Sequence, residues 1–301
     1  MLRLYLLRRF FHVVFLLAGI SALSFAFLEV APGDFLGEAK LNPQLSAETL
    51  AALREQYGLN KTLPQKYIYW LASVAKGDFG VSFAYNLPVS TLLWPRMRQT
   101  LRLTITSLSI SWVIAVPLGI WTAAKRNRWP DRSLSFVSSG LMSIPDLLLA
   151  CAALFVGVKL GTYRSGSALF PVIVLVLGAL PMLIRHVRGA ILSVVDQPYV
   201  RAARAHGIAG LRLWFHWLLP AAANPLVSLF GLSVAGLISS SLLVETILGW
   251  PGLGPLFLEA ISARDFYLVM GPVMLSAVFL AFGAVLADIV LYVVDPRIRA
   301  A

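Results

Sequence analysis

The sequence predicts an all-α integral membrane protein with six transmembrane helices and a helical segment outside the membrane between the first two. Three observations predict it. The chain of 301 residues is 58% hydrophobic and only 13% charged, about half the charged fraction of a soluble domain. Its apolar residues gather into six runs: Phe10–Val30, Leu101–Ala123, Leu134–Val158, Leu169–Ile184, Leu226–Leu248 and Val269–Val294. About 20 such residues cross a bilayer as a helix, and a helix satisfies its own backbone hydrogen bonds where lipid cannot. The third observation is where the cations fall. Arg3, Arg8 and Arg9, then Lys125, Arg126, Arg128 and Arg132, then Arg185, Arg188, Arg201, Arg204 and Arg212, and last Arg297 and Arg299 all lie on one side of a six-span arrangement. That side is the cytoplasmic one, so both termini are expected there. The net charge of +11 is mostly this topology signal rather than a nucleic-acid footprint.

Residues 1–30 form the N-terminal cytoplasmic end and the first span. Basic residues precede an apolar run, as in a signal peptide, but the run is too long and no small-x-small site closes it. The segment 31–98 lies outside, where Asp34, Glu38, Glu48, Glu55 and Asp78 offset most of its basic residues. Ser46 caps one helix there, with Leu45 and Leu50 as a hydrophobic staple, and Gly58 ends it. A second helix opens at Pro64, puts Tyr67, Ile68, Leu71 and Val74 on one face, and stops at Gly77. This segment reads as a packed cap or as a landing surface for an outside partner.

Residues 99–301 supply the remaining five spans. The second is rich in hydroxyls (Thr104, Thr106, Ser107, Ser109, Ser111), which can bond back to their own helix. The third carries Asp146 directly after Pro145, a proline able to break the helix locally. The fifth has small residues at Gly231, Ala235 and Ser239, a spacing that lets helices approach closely. Intramembrane acids are costly and mark functional candidates. Glu29, Glu245 and Asp288 are expected near span ends, where headgroup-level water relieves that cost, and Asp146 deep. Cys151 is the only cysteine, so no internal disulfide forms. The histidines have no metal-ligand spacing, and no phosphate-binding G-x-x-x-x-G-K-[ST] occurs.

The cytoplasmic loop 185–225 is the most informative part. Asp196 or Gln197 caps a helix whose first turn holds Pro198. Ala202, Ala203 and Ala205 make that helix narrow, Arg204 and His206 complement its C-terminal dipole, and Gly207 permits a left-handed exit. A second amphipathic stretch follows, with Leu211, Trp214, Phe215 and Leu218 on one side, ending at Pro220.

This loop resembles the E-A-A-x3-G-x9-I-x-L-P loop of ABC importer permeases. Ala202-Ala203, Gly207 and Trp217-Leu218-Leu219-Pro220 carry the likeness, with Arg201 in place of the glutamate and Trp217 in place of the isoleucine. Tyr199-Val200-Arg201 followed by Ala203-Arg204-Ala205 and Gly207 is the form used in the dipeptide/oligopeptide/nickel branch. Phe25-Ala26-Phe27, Pro32-Gly33-Asp34, Gly77-Asp78-Phe79-Gly80, Glu245-Thr246-Ile247, Trp250-Pro251-Gly252-Leu253-Gly254, Arg264-Asp265-Phe266 and Asp295-Pro296-Arg297 also resemble that branch, so the likeness spans the chain.

The resemblance implies a type I ABC importer permease fold in a bacterial cytoplasmic (inner) membrane. It implies four kinds of partner: a second homologous permease subunit, two cytoplasmic ATPase subunits, an extracytoplasmic solute-binding protein and the lipid bilayer. The expected cargo is di- or oligopeptides, with nickel or another small solute as the alternative; a proton-coupled secondary transporter is the rival from another class. No nucleic acid and no metal is expected to bind. This chain would bind no cofactor and would not be an enzyme; ATP and Mg would sit in the partner ATPases. The ATPase-coupling residues would be Arg201, Ala202, Ala203, Arg204, Gly207, Leu219 and Pro220. The translocation path or outer gate would use Asp146, Glu245, Trp250, Pro251 and Gly252.

Overall fold

A computed structural model describes residues 2–30 and 62–294 of the chain. The expected helix capped by Ser46 and the closing Asp295–Arg299 lie outside the described residues, as do the side chains of Glu29 and Asp288. The described elements run α1 (Leu2–Val30), α2 (Leu63–Val74), β1 (Val81–Ser82), β2 (Leu87–Pro88), α3 (Val89–Ala124), α4 (Trp129–Met142), α5 (Asp146–Lys159), α6 (Leu169–Val195), α7 (Pro198–Ala205), α8 (Gly210–Leu213), a π turn (Trp214–Leu218), α9 (Leu219–Ile247), α10 (Leu253–Ser262) and α11 (Phe266–Val294). Among the described residues, five helices are long and apolar enough to cross a membrane, or six if α4 and α5 count as one bent span. The chain divides into two compact units, one of Met1–Leu6, Leu101–Trp250 and Phe279–Ala301, the other of Leu7–Thr100 and Pro251–Val278.

In the first unit the core runs as a series of apolar clusters along α6 and α9. Val174, Leu175, Leu237 and Val244 pack at one end with Leu103 and Trp250. Leu183, Val187 and Leu229 follow with Ala115 of α3, then Ile191 and Ala222 with Ala123. Close approach is built in by glycine. A Cβ on Gly119 would lie 2.6 Å from Val187 Cγ1, and one on Gly283 would lie 2.7 Å from Val234 Cγ1.

Several spans differ from the sequence expectation. The run Leu134–Val158 is not one helix, because α4 and α5 meet at 93°. Pro145 holds extended backbone (ψ 143°), has no N–H to give, and pushes the residue before it out of the helical region. The loop helix also does not stop at Pro220: α8, the π turn and α9 form one continuous span, Gly210–Ile247. The π turn accounts for this. The Leu219 N–H reaches back five residues to the Trp214 carbonyl, a widened turn that takes up the proline's missing donor and ring without ending the helix. The second span also starts earlier than Leu101, since Val89 and Leu93 continue a buried face.

In the second unit Phe25, Trp70, Met270 and Met274 form the core. Ser21 and Tyr67 share a hydroxyl hydrogen bond of 2.8 Å that holds α2 to α1. The hairpin pairs Val81 with Pro88 and Ser82 with Leu87. Asp265 is fully buried and ties three elements together. Its Oδ1 accepts the Leu268 N–H at 3.1 Å, capping α11, while its Oδ2 accepts the Ser82 hydroxyl at 2.6 Å and the Ala84 N–H at 3.0 Å. Thr100 in turn accepts the Leu253 N–H at 2.8 Å at the start of α10.

Candidate functional site: the loop helix, the outer turn and the broken span

The loop helix α7 is two-faced. Val200 and Ala203 are buried against Leu213 and Leu218 of the following span, with Val194, Val195 and Ile208 around them. Tyr199, Arg201, Ala202, Arg204, Ala205 and His206 are exposed. Tyr199, Ala202, Ala205 and His206 recur at helical spacing, so they share a free face whose centre is two methyl groups. Gln197, not Asp196, holds the N-cap position, and Pro198 occupies the first turn. The Asp196 carbonyl instead accepts from Arg201 Nε at 3.0 Å.

The exit from α7 is a Schellman motif. Gly207 takes φ 78°, its N–H bonds the Arg204 carbonyl at 2.9 Å, and the Ile208 N–H bonds the Ala203 carbonyl at 3.0 Å. This folds Ile208 back against the buried face of α7, the apolar contact that accompanies such caps. The stretch expected to be amphipathic on one side is split. Leu218 is buried and Trp214 half-buried, whereas Leu211 and Phe215 are exposed, because the π turn rotates the register between them. Leu219 is half-buried and Pro220 exposed.

The turn after α9 makes the longer of the Schellman motif's two bonds at the C-terminal end of α9. Gly249 takes φ 58°, and the Trp250 N–H bonds the Glu245 carbonyl at 2.9 Å. This directs Trp250 inward, where it is 9% exposed among Leu103, Ala150 and Val244. Headgroup-level water was expected to relieve Glu245; it is buried instead, as is Trp250. The short α5–α6 connection closes over the turn: Tyr163 donates its hydroxyl to the Leu248 carbonyl at 2.8 Å. A Cβ on Gly249 would lie 2.9 Å from Ser165 Oγ. Pro251 is exposed and Gly252 buried, serving as the N-cap residue of α10.

Asp146 opens α5 at the break, where the helix dipole favours a carboxylate. Its Oδ2 accepts the Ser240 hydroxyl at 2.5 Å, and its Oδ1 lies where a Cβ on Gly178 would be 2.7 Å away. Asp146 therefore joins α5 to α9 across a notch that glycine leaves in α6. It is brought to neither the outer turn nor the loop helix.

Asp131 and Asp265 are buried acids that no apolar run marks as candidates. Asp131, in the first turn of α4, is 3% exposed and makes a two-pronged ion pair with Arg188 of α6. Asp131 stands among arginines, outside the apolar runs in which an acid is conspicuous. A single acid in an otherwise cationic loop was the available signal.

Comparison with known proteins decides the family. Residues 115–300 match the family of binding-protein-dependent transport system inner membrane components, and residues 1–104 match the N-terminal part of such components. The chain belongs to this family. The permease is 32% identical to the oligopeptide transport system permease protein AppB of Bacillus subtilis, over 98% of this chain and 99% of that one. It is 29% identical to the dipeptide transport system permease protein DppB of Escherichia coli, over 98% of both chains. It is also 32% identical to a putative peptide permease protein of Brucella ovis, over 98% of both. Its fold is similar to a chain of the inward-facing MetNI methionine ABC transporter, with a TM-score of 0.62 at 23% identity, covering 68% of this chain and 96% of that one.

Proposed function

We propose that this permease is one transmembrane subunit of an ATP-binding-cassette importer that carries di- or oligopeptides inward across the cytoplasmic membrane. Relatives named for oligopeptides, peptides and dipeptides support that substrate class. Two cytoplasmic ATPases supply the energy, a homologous permease completes the path, and an extracytoplasmic binding protein delivers the cargo. ATP and Mg belong to the ATPases, and this chain has no catalysis of its own. Both termini lie in the cytoplasm, on the side of the basic loops.

The observation that carries this reading is the two-faced helix α7. Its inner face is fixed by Val200 and Ala203 to the chain's own spans, while Tyr199, Ala202 and Ala205 present a small, uncovered surface. Short side chains let a partner cleft close around the helix, and only Asp196–Gln197 and His206–Ala209 separate α7 from α6 and α8. A push on α7 therefore moves those spans as rigid bodies rather than being absorbed in slack chain. Ala202 is the position that separates docking from folding, since Ala203 is already part of the core. Ala202→Trp should leave membrane insertion intact and abolish copurification with the ATPase subunits. Full retention of the ATPases by that variant contradicts the docking role.

A further inference from the structure

We propose that Asp131 and Arg188 form a transmission clasp that makes α4 travel with α6 when α7 is displaced; the proposal rests on the importer reading. Arg188 Nε donates to Asp131 Oδ1 at 2.6 Å and Arg188 Nη2 donates to Oδ2 at 2.8 Å. The Asn127 N–H adds a third bond to Oδ2 at 2.8 Å. Asn127 itself has φ 61°, so the turn leaving α3 is bent into a left-handed conformation that aims this donor at the carboxylate. One carboxylate thus gathers the end of α3, the start of α4 and the last third of α6. The planar guanidinium fork fixes direction as well as distance, which a lysine or an apolar contact would not.

The position gives the pair its role. Arg188 lies two turns before α6 ends at Val195, and α7 begins at Pro198. The neighbouring residue Val187 is pressed against Gly119, so α3 and α6 are already in close contact at this level. On the other side α4 packs on the same level through Leu134, which meets the cluster of Leu183 and Val187, while Trp129, Phe136 and Val137 are exposed and α4 ends in the 93° break before Asp146. Apolar packing of similar volume commonly stabilises as well as a buried ion pair, whereas a directional pair selects one relative placement of two helices. A helix that must follow its neighbour through a conformational change needs that placement held. Through the break, a movement imposed on α4 reaches Asp146 and its bond to Ser240 of α9. The nearby Arg126–Asp196 pair, at 3.7 Å with both side chains more than half exposed, is solvent-screened and outside the clasp.

The test uses the complete importer complex in nanodiscs and proteoliposomes. On a Cys151→Ser background, spin labels are placed at Phe136→Cys on α4 and His186→Cys on α6, both exposed positions. With the clasp intact, the label separation stays the same in the nucleotide-free and ATP–vanadate states. Asp131→Asn should let the separation shift between the two states, while ATP hydrolysis persists and ATP-driven uptake of labelled alanyl-alanine per ATP falls roughly tenfold or more. Arg188→Lys, which keeps the charge and loses the fork, should act in the same direction, and Arg126→Ala should have no effect. An unchanged separation and unchanged uptake per ATP in Asp131→Asn and Arg188→Lys overturn the clasp. So does failure of both variants to assemble, which would make the pair a folding element only. A parent complex that does not hydrolyse ATP overturns the importer reading instead, and the label separation in nucleotide-free nanodiscs then decides the clasp: broadening in Asp131→Asn supports it, and no change overturns it.

Discussion

Replacing Gly207 tests whether α7 works as a rigid lever, because alanine and proline there perturb different things. Nothing lies within 4 Å of a Cβ built on Gly207, and its φ is +78°. Gly207→Ala therefore adds no clash and carries only the left-handed penalty, about 1–2 kcal/mol. Proline requires φ near −65°, so it forces a rotation of roughly 140° at the point where α7 turns back. It also deletes the Gly207 N–H to Arg204 carbonyl bond and withdraws the Ile208 N–H from the Ala203 carbonyl. Two net hydrogen bonds contribute about 0.5–1.5 kcal/mol each. Undocking the half-buried Ile208 from Val200, Ala203 and Leu218 removes about another 1 kcal/mol of apolar burial. The sum, about 2–4 kcal/mol, is enough to fray an eight-residue helix while leaving the spans inserted. Hydrogen exchange across Pro198–Ala205 in nanodiscs, read beside ATP-driven uptake, is the assay. Alanine should preserve protection and most of the uptake; proline should lose both. A proline variant with unchanged exchange and full uptake refutes the lever argument.

Three further outcomes follow from particular side chains. Gly178→Ala should break the Asp146–Ser240 bond, since its Cβ would lie 2.7 Å from Asp146 Oδ1, and lower stability by about 1.5–3 kcal/mol for a charge-assisted bond, read as a fall in thermal midpoint in detergent. Ser107 and Ser111 hold buried hydroxyls with no hydrogen-bond partner among the described residues, so Ser107→Ala should leave that midpoint unchanged or raise it. The Tyr85 hydroxyl donates to Glu259 at 2.8 Å, and this bond, followed by burial and the Glu259 charge, holds its pKa above the ordinary 10.0. A raised folded-state pKa means the bond stabilises below pH 10 and is lost as pH climbs through the higher folded value. Ultraviolet titration against Tyr85→Phe should show the late-ionising tyrosine, and Glu259→Gln should bring it back toward 10.

What could be read in advance was whatever depends on local backbone chemistry. Pro198 opening a helix, Gly207 leaving it left-handed and Pro64 starting α2 all follow from φ preferences and missing donors, and each is present in the structure. The burial of Trp250 and Glu245 was not legible, because the outer end of an apolar run looks alike whether it faces lipid or protein. Only the left-handed turn at Gly249, with the Tyr163 hydroxyl on the Leu248 carbonyl, shows that this end is covered. The passage of the helix through Pro220 was hidden for a related reason. A π turn is a property of the ladder around the proline, and the sequence announces the proline alone. Asp131 and Arg188 stand 57 residues apart, and the packing of α4 on α6 is what makes them partners.

On the proposed function, the permease is a passage moved by another protein's nucleotide hydrolysis. Uptake of labelled alanyl-alanine measures it in two reconstitutions: proteoliposomes holding the full complex with ATP inside the partner-facing compartment, and proteoliposomes holding this chain alone under a pH gradient. ATP-dependent uptake is expected in the first, stimulated by loaded binding protein, and none in the second. Uptake by the lone chain that follows the pH gradient and ignores ATP would contradict it, and would make this protein a proton-coupled carrier.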